Sequence, residues 1–266
     1  MSAVAAPWTP DHRLLVPGPR LRMKLMSFNI QVGLNTQHYG HYLTRSWRHA
    51  LPGTNMHRTL DPIADLMAQY DFVAVQEGDA GSLRTGFRNQ IEYLARRAGF
   101  AHWGMAVTRN IHPVARHCLG FLSRYQPFDV GHHALPSQIP GRRAMQVALG
   151  PEAGNLQLLL THMSLGRAAQ LRQLDYLGGL VKPGNPAVLM GDLNCDSQLL
   201  RDHPALRKAG LLTPSASPAT FPSWKPARGI DHILVSEDIA LHSLEALPHR
   251  LSDHLPLSAE ISLAVA

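Results

Sequence analysis

"VLMGDLNCDS" occupies residues 188–197: three apolar side chains lead into Gly191, and Asp192 and Asn194 follow two residues apart. An apolar run of this length reads as a buried strand. A lone Asp after a strand is usually a helix cap or a turn former. Here the same ending recurs along the chain. Asn29 follows "MSF", Glu77 follows "FVAVQ", His162 follows "LLLT", Asp231 opens "DHILVS", and Asp253 and His254 precede the last apolar segment. Several separate strands therefore each deliver an acid, an amide or an imidazole at one end. Strand ends are rigid and the loops beyond them are free to vary, so functional groups gather there.

Working outward, "KLMSFNI" (24–30), "DFVAVQE" (71–77), "HWGMAV" (102–107), "CLGFLS" (118–123), "RAMQVAL" (143–149), "LQLLLTH" (156–162), "AVLMGD" (187–192), "IDHILVS" (230–236) and "LPLSAEISL" (255–263) read as strands. Apolar residues at helical spacing predict helices over 58–70, 81–99, 167–180 and 198–209. Strands alternate partly with helices and partly with each other, which favours mixed sheets with helices outside rather than a doubly wound parallel sheet. Residues 1–22, rich in proline and polar residues, read as a loose arm ahead of one domain over 23–266. Residues 31–57 carry no clean period and read as a functional loop.

The residue types at the strand ends belong to one chemistry, metal-assisted cleavage of a phosphoester. A hard cation such as Mg²⁺ takes oxygen ligands and needs only one or two carboxylates beside a substrate phosphate. Glu77 suits the first ligand and Asn29 a neutral oxygen next to it. Asp192 suits orientation or deprotonation of the attacking water, and Asn194 a hold on that water or on a phosphoryl oxygen. His254 paired with Asp231 has its charge stabilised and can remain protonated near neutral pH. His232 alternates to the opposite face of its strand and reads as structural. The chain has no cysteine pair spaced for zinc, no HExxH, no Walker-type glycine loop and no GxSxG elbow.

In series, "SFNI", "VAVQEGD", "LLLTHMSLG", "MGDLNCDS", "GIDHILVS" and "LSDHLPL" resemble the endonuclease/exonuclease/phosphatase superfamily over residues 24–263. The resemblance implies the deoxyribonuclease-I-like fold, an α/β (α+β) four-layer α/β/β/α sandwich of two packed mixed sheets. It implies Asn29 and Glu77 as holders of Mg²⁺ (or Mn²⁺). Asp253 becomes a metal-site or water-positioning residue, and His162 a contact to the scissile phosphate or leaving group. Asp192 and Asn194 position water and phosphate, and Asp231 orients His254. Arg142, just before a central strand, is the expected phosphate contact.

The 266 residues are 45% hydrophobic and 17% charged, with net charge +6, which excludes a disordered chain and favours polyanionic partners. Two cysteines make no disulfide framework, and Cys118 in an apolar run reads as a buried thiol. No window reaches the roughly 18 apolar residues of a membrane span. No signal peptide is evident at the start, and cytoplasmic localisation is the default expectation. The expected activity is metal-dependent hydrolysis of a phosphodiester, most readily by a nuclease. Tyr39, Tyr42 and Trp47 interleaved with Arg45, Arg48 and Arg58 suit a polynucleotide. The alternatives are a sphingomyelinase-like lipid phosphodiesterase, with Phe221 and Trp224 as an apolar lip beside the site, or a small-molecule phosphatase, with residues 38–58 as a lid over a compact substrate. A non-catalytic polyanion-binding module is the remote one.

Overall fold

Period-two apolar strands that bury both faces need a layer on each side, and here each of two sheets packs one face on the other sheet and one face on helices. The computed structural model describes residues 20–33, 56–138, 140–215 and 217–265. In chain order these form β1 (Arg20–Asn29), α1 (Met56–Met67), β2 (Phe72–Asp79), α2 (Gln90–Ala98), β3 (His102–Ile111), β4 (Ala115–Ser123), β5 (Pro127–Ala134), β6 (Arg143–Leu149) and β7 (Gln157–His162). There follow α3 (Arg167–Leu180), β8 (Ala187–Asp192), α4 (Ser197–Asp202), α5 (Pro204–Lys208), β9 (Leu211–Leu212), β10 (Asp231–Ser236), β11 (Ala240–Ala246) and β12 (Leu257–Ala264). One sheet runs β11-β12-β1-β2-β4-β3 and the other β5-β6-β7-β8-β10-β9. Both are mixed: β1 pairs parallel with β2 and β7 with β8, whereas their other neighbours are antiparallel. One core fills the space between the sheets; a second lies under α1 and α2, and a third under α3, α4 and α5. This is the expected four-layer α/β/β/α sandwich. Among the described residues no helix is long and apolar enough to cross a membrane.

Three expectations shift in detail. The arm expected over 1–22 overlaps the first strand, since β1 begins at Arg20; residues 1–19 lie outside the described residues. The helix expected over 81–99 begins only at Gln90, capped by Asn89, whose side chain accepts the Ile91 and Glu92 N–H groups. Upstream, the Asp79 carboxylate takes hydrogen bonds from Gly81 N, Ser82 Oγ and Arg84 Nε, and so holds residues 79–85 in a turn instead. The helix expected over 198–209 splits at Pro204, which has no N–H and leaves His203 extended. Three strands escaped the sequence: β5, β9 and β11. All are sheet edges; β9 is only two residues long, and β5 and β11 have mostly half-exposed or exposed residues, so none carries a clean apolar alternation.

Strand parity places the polar ends. Leu25 on β1, Ala74 on β2, Leu160 on β7, Met190 on β8 and Ile233 on β10 all face the inter-sheet core. Side chains repeat every second residue, so further steps of two reach Ser27 and Asn29, Gln76, His162, Asp192 and Asp231 on that same face. Each fully buried Leu, Phe or Met below contributes about 1.5–3 kcal/mol. That offsets the cost of closing one end of the layer with polar groups.

Candidate active site

The register brings three of these residues side by side: His162 pairs with Asp192 across β7 and β8, and Asp231 pairs with Asp192 across β10 and β8. Gly191 permits the approach. Its φ is +147°, and a Cβ there would lie 2.0 Å from the Thr161 carbonyl oxygen. Asp192 then turns the chain, accepting the Asn194 backbone N–H at Oδ1 (3.1 Å) while Asn194 adopts φ 53°. Asn tolerates this left-handed region, which explains the carboxylate and carboxamide two residues apart. The Asn194 amide nitrogen donates to the Met163 carbonyl (3.0 Å), tying the loops after β7 and β8.

The opposite sheet meets this cluster through Asn29, whose amide donates to Asp192 Oδ2 at 3.1 Å. Glu77 breaks the parity rule. Val73 and Val75 face the helix-side core, and simple alternation would send Glu77 with them. Between Val75 and Gly78 the β2–β4 register slips, and Glu77 takes φ 55°. This bulge turns the carboxylate to the site, 3.9 Å from His162 Nε2. Asp192 Oδ2 also faces His162 Nε2 at 3.5 Å and His254 Nε2 at 3.8 Å.

On its other edge His254 is held by Asp231, with Nδ1 2.8 Å from Oδ2. Thr220 donates to the same carboxylate oxygen. Thr220 is fully buried, and no sequence pattern marked it, because a single hydroxyl in a loop has no periodicity. The Phe221 ring lies 4.9 Å from the His254 ring at 49°, so Phe221, expected as part of a lip, walls the imidazole. Asp253 accepts from Ser252 Oγ (3.0 Å), and its charge acts on Glu77 and His254. Arg142 Nη1 donates to the His162 carbonyl (3.4 Å), and its charge reaches Glu77 and Asp192. All nine sequence-predicted site residues therefore fall in one cluster at one end of the inter-sheet layer. His232 lies on the opposite face of β10, buried between Ser217 Oγ and the Cys195 carbonyl. Cys118 is buried and its thiol is pushed up to about 12 by burial. Tyr39, Tyr42, Arg45, Trp47 and Arg48 lie outside the described residues.

The electrostatics divide the two imidazoles. Burial opposes a charge on His254, but Asp231 and Asp192 outweigh it and raise its pKa to about 10. His162 is driven well below the usual histidine value by burial, with the positive charges of Arg142 and His254 adding to the effect. Burial raises Asp192 to about 7, although the His254 charge pulls the other way. Glu77 is also raised, by burial and by repulsion from Asp253, while its side chain remains 32% exposed. Four carboxylates (Glu77, Asp192, Asp231 and Asp253) thus lie in one cluster with two basic side chains, Arg142 and His254. An excess of hard oxygen donors of this kind suits a divalent cation. Asp192, Asp231 and His254 bring ligand atoms within 4.8 Å of one another. The Asp231–His254 hydrogen bond engages two members of that triad, and among the site carboxylates Glu77 is the most exposed, with buried Asn29 hydrogen-bonded to Asp192 beside it.

Solved structures share the fold. An endonuclease/exonuclease/phosphatase from Beutenbergia cavernae superposes with a TM-score of 0.72 at 19% identity, over 91% of this chain and 72% of that one. A Bacteroides thetaiotaomicron mannosyl-6-phosphatase gives 0.64 at 15% identity, over 90% of this chain and 99% of that one. The human Nocturnin catalytic domain gives 0.63 at 16% identity, over 92% and 97%. Among curated relatives, the uncharacterized protein YbhP of Escherichia coli K12 is 35% identical over 120 residues, 41% of this chain. The chain spans 47% of that relative's length. A family model whose members are phosphoester hydrolases, generally dependent on a divalent metal, matches residues 26–254: the chain belongs to the endonuclease/exonuclease/phosphatase family.

Proposed function

We propose that the chain hydrolyses a phosphodiester by in-line attack of an activated water, and that its substrate is a nucleic acid. The observation that carries the hydrolytic reading is the Asp192 carboxylate set between two imidazoles of opposite protonation preference and the Asn29 amide. Asp192, with its affinity for a proton raised by burial, takes the proton of the attacking water. Asn194, fixed by the Asp192 turn, holds that water or a phosphoryl oxygen. His254 stays protonated against Asp231 and stabilises the charge that accumulates on the pentacoordinate phosphorus. Neutral His162 contacts the phosphate or the leaving-group oxygen, and Arg142 grips a non-bridging oxygen. Glu77 and Asn29 would hold Mg²⁺ or Mn²⁺, with Asp253 beside them. When bound, such an ion neutralises phosphoryl charge and polarises the phosphorus.

The nucleic-acid assignment is supported by the net charge of +6 and by the arginines on the loop after β2 and on the β3–β4 hairpin beside it, Arg88, Arg109 and Arg116. A second reading, a lipid phosphodiesterase, draws on the Phe221 wall beside His254. Hydrolysis of bis-p-nitrophenyl phosphate with Mg²⁺ or Mn²⁺, repeated with chelator and with Asp192→Ala, tests the hydrolytic reading. Chelator-sensitive turnover lost in the variant supports it, and no turnover on any phosphoester with metal present overturns it. Oligonucleotide cleavage that weakens steeply as salt rises supports the nuclease. Turnover confined to lipid phosphodiesters selects the second reading.

A further inference from the structure

Six described residues other than glycine have positive φ. Glu77 and Asn194 are site residues, Gln31 and Val32 adjoin Asn29, and Asn155 is a residue type that accepts the left-handed region. Phe87, at φ 60°, fits none of these accounts, and its side chain is 62% exposed. A large aromatic is thus held in a disfavoured backbone conformation and presented to solvent.

The conformation is imposed by its surroundings. The buried Asp79 carboxylate gathers Gly81 N (2.9 Å), Ser82 Oγ (2.8 Å), Arg84 Nε (2.6 Å) and Thr85 Oγ1 (3.3 Å). Phe87 N donates to the Ser82 carbonyl (2.7 Å), and Leu83 N to the Pro113 carbonyl (2.8 Å) on the β3–β4 hairpin. Arg116 Nη1 donates to the carbonyls of Ala80 and Gly81 at 3.3 and 3.4 Å. This clamp starts two residues after Glu77, and Asp79 pairs across the sheet with His117 on β4. The loop therefore leaves β2 at the end where Glu77 stands, the active-site end of that strand. Exposed Arg88 and Arg109 lie on the same two segments, with Arg116 between them.

Resting on the nuclease reading, we propose that Phe87 is a stacking platform for a nucleobase flanking the scissile phosphodiester, with Arg88, Arg109 and Arg116 taking the adjoining phosphates. Phe87, 62% exposed, stands out beyond Ile111 (42%) and Leu83 (38%) on the same two segments. An aromatic ring beside Arg88, Arg109 and Arg116 matches the alternation of base and phosphate along a strand, and these cations set it apart from a purely apolar lipid-binding face.

The test uses Phe87→Gly, Phe87→Ala and Phe87→Trp in the full chain. Binding of a fluorescent single-stranded oligonucleotide is measured in an Asp192→Ala background, and cleavage in the active protein. Glycine relieves the left-handed strain, so Phe87→Gly is expected to melt no lower than the parent while binding the oligonucleotide about 10-fold more weakly. The ratio of oligonucleotide to bis-p-nitrophenyl phosphate kcat/KM falls by a similar factor, and Phe87→Trp retains binding. Binding within twofold of the parent in Phe87→Gly, or a loss in Phe87→Trp equal to that in Phe87→Gly, overturns the platform. If the parent cleaves oligonucleotides and Phe87→Gly cleaves them equally, the platform alone falls. If the parent hydrolyses bis-p-nitrophenyl phosphate but neither binds nor cleaves oligonucleotides, the nuclease reading falls with it. Loss of binding to sphingomyelin vesicles rather than to oligonucleotides in Phe87→Gly also overturns the proposal.

Discussion

His254 and His162 approach the same oxygen of Asp192, at 3.8 and 3.5 Å, from two strand systems. Both are largely buried, with side chains 6% and 14% exposed. Burial disfavours the charge on each, yet one is raised to about 10 and the other pushed well below its usual value. The difference lies in the neighbouring charges. Asp231 backs His254 at 2.8 Å, whereas the positive charges of Arg142 and His254 add to the burial that lowers His162. One site therefore holds an imidazolium and a neutral imidazole within reach of one carboxylate, and each is suited to a different task.

The largest expected effect tests the shared centre. Asp192→Asn keeps the shape but removes the carboxylate, and turnover should fall by about 10³-fold or more, with metal affinity measured separately. Retained turnover would show that the two imidazoles act without it. Next, His254→Ala should reduce kcat by about 10²–10⁴-fold, and Asp231→Asn, which removes what keeps His254 charged, should approach the same loss. In the Asp231→Asn background, His254→Ala should add little, because residues that act as a unit are not additive. Independent, multiplying losses would separate the pair.

The pH dependence of melting in chelator should split the histidines by sign. His254, raised from 6.5 to about 10, contributes stability that is full below pH 6.5 and is lost as pH rises towards 10. His162 is lowered, so below pH 6.5 the unfolded chain takes up a proton that the folded protein refuses, and stability is lost on the acid side. Asp192, raised from 3.8 to about 7, works in the same direction as His254 between those values. His254→Gln should flatten the alkaline limb relative to the parent, and His162→Gln the acid limb. Variants that shift the whole curve without changing either limb would contradict the assignment. The smallest effect concerns Arg142→Met, which removes a positive charge near His162. The His162 imidazole should then titrate closer to its usual value by NMR, with His254 little changed.

Much of this site was legible because strand alternation carries chemistry as well as packing. Once Leu160, Met190 and Ile233 face the inter-sheet core, His162, Asp192 and Asp231 must face the same way one step later. The buried strands were visible for the same reason. Edge strands β5 and β11 were not, since a strand with a solvent face and one neighbour need not be apolar. Thr220 escaped because its role depends on Asp231, remote until the chain folds. The helix expected from residue 81 gave way to the Asp79 turn, as side-chain hydrogen bonds outcompeted helical periodicity.

By itself the amino-acid sequence determined mixed sheets with helices outside and the polar residues at the strand ends, and its motifs carried the family resemblance that implied the two-sheet sandwich. These follow from local periodicity and short motifs, which act over a few residues. Only the tertiary structure decided that Glu77 turns back to the site through its bulge, that burial drives His162 towards the neutral form, and that Phe87 is held outward. Each of those depends on groups far apart in the chain, because a bulge needs its partner strand and a proton's affinity is set by the charges that folding gathers around it.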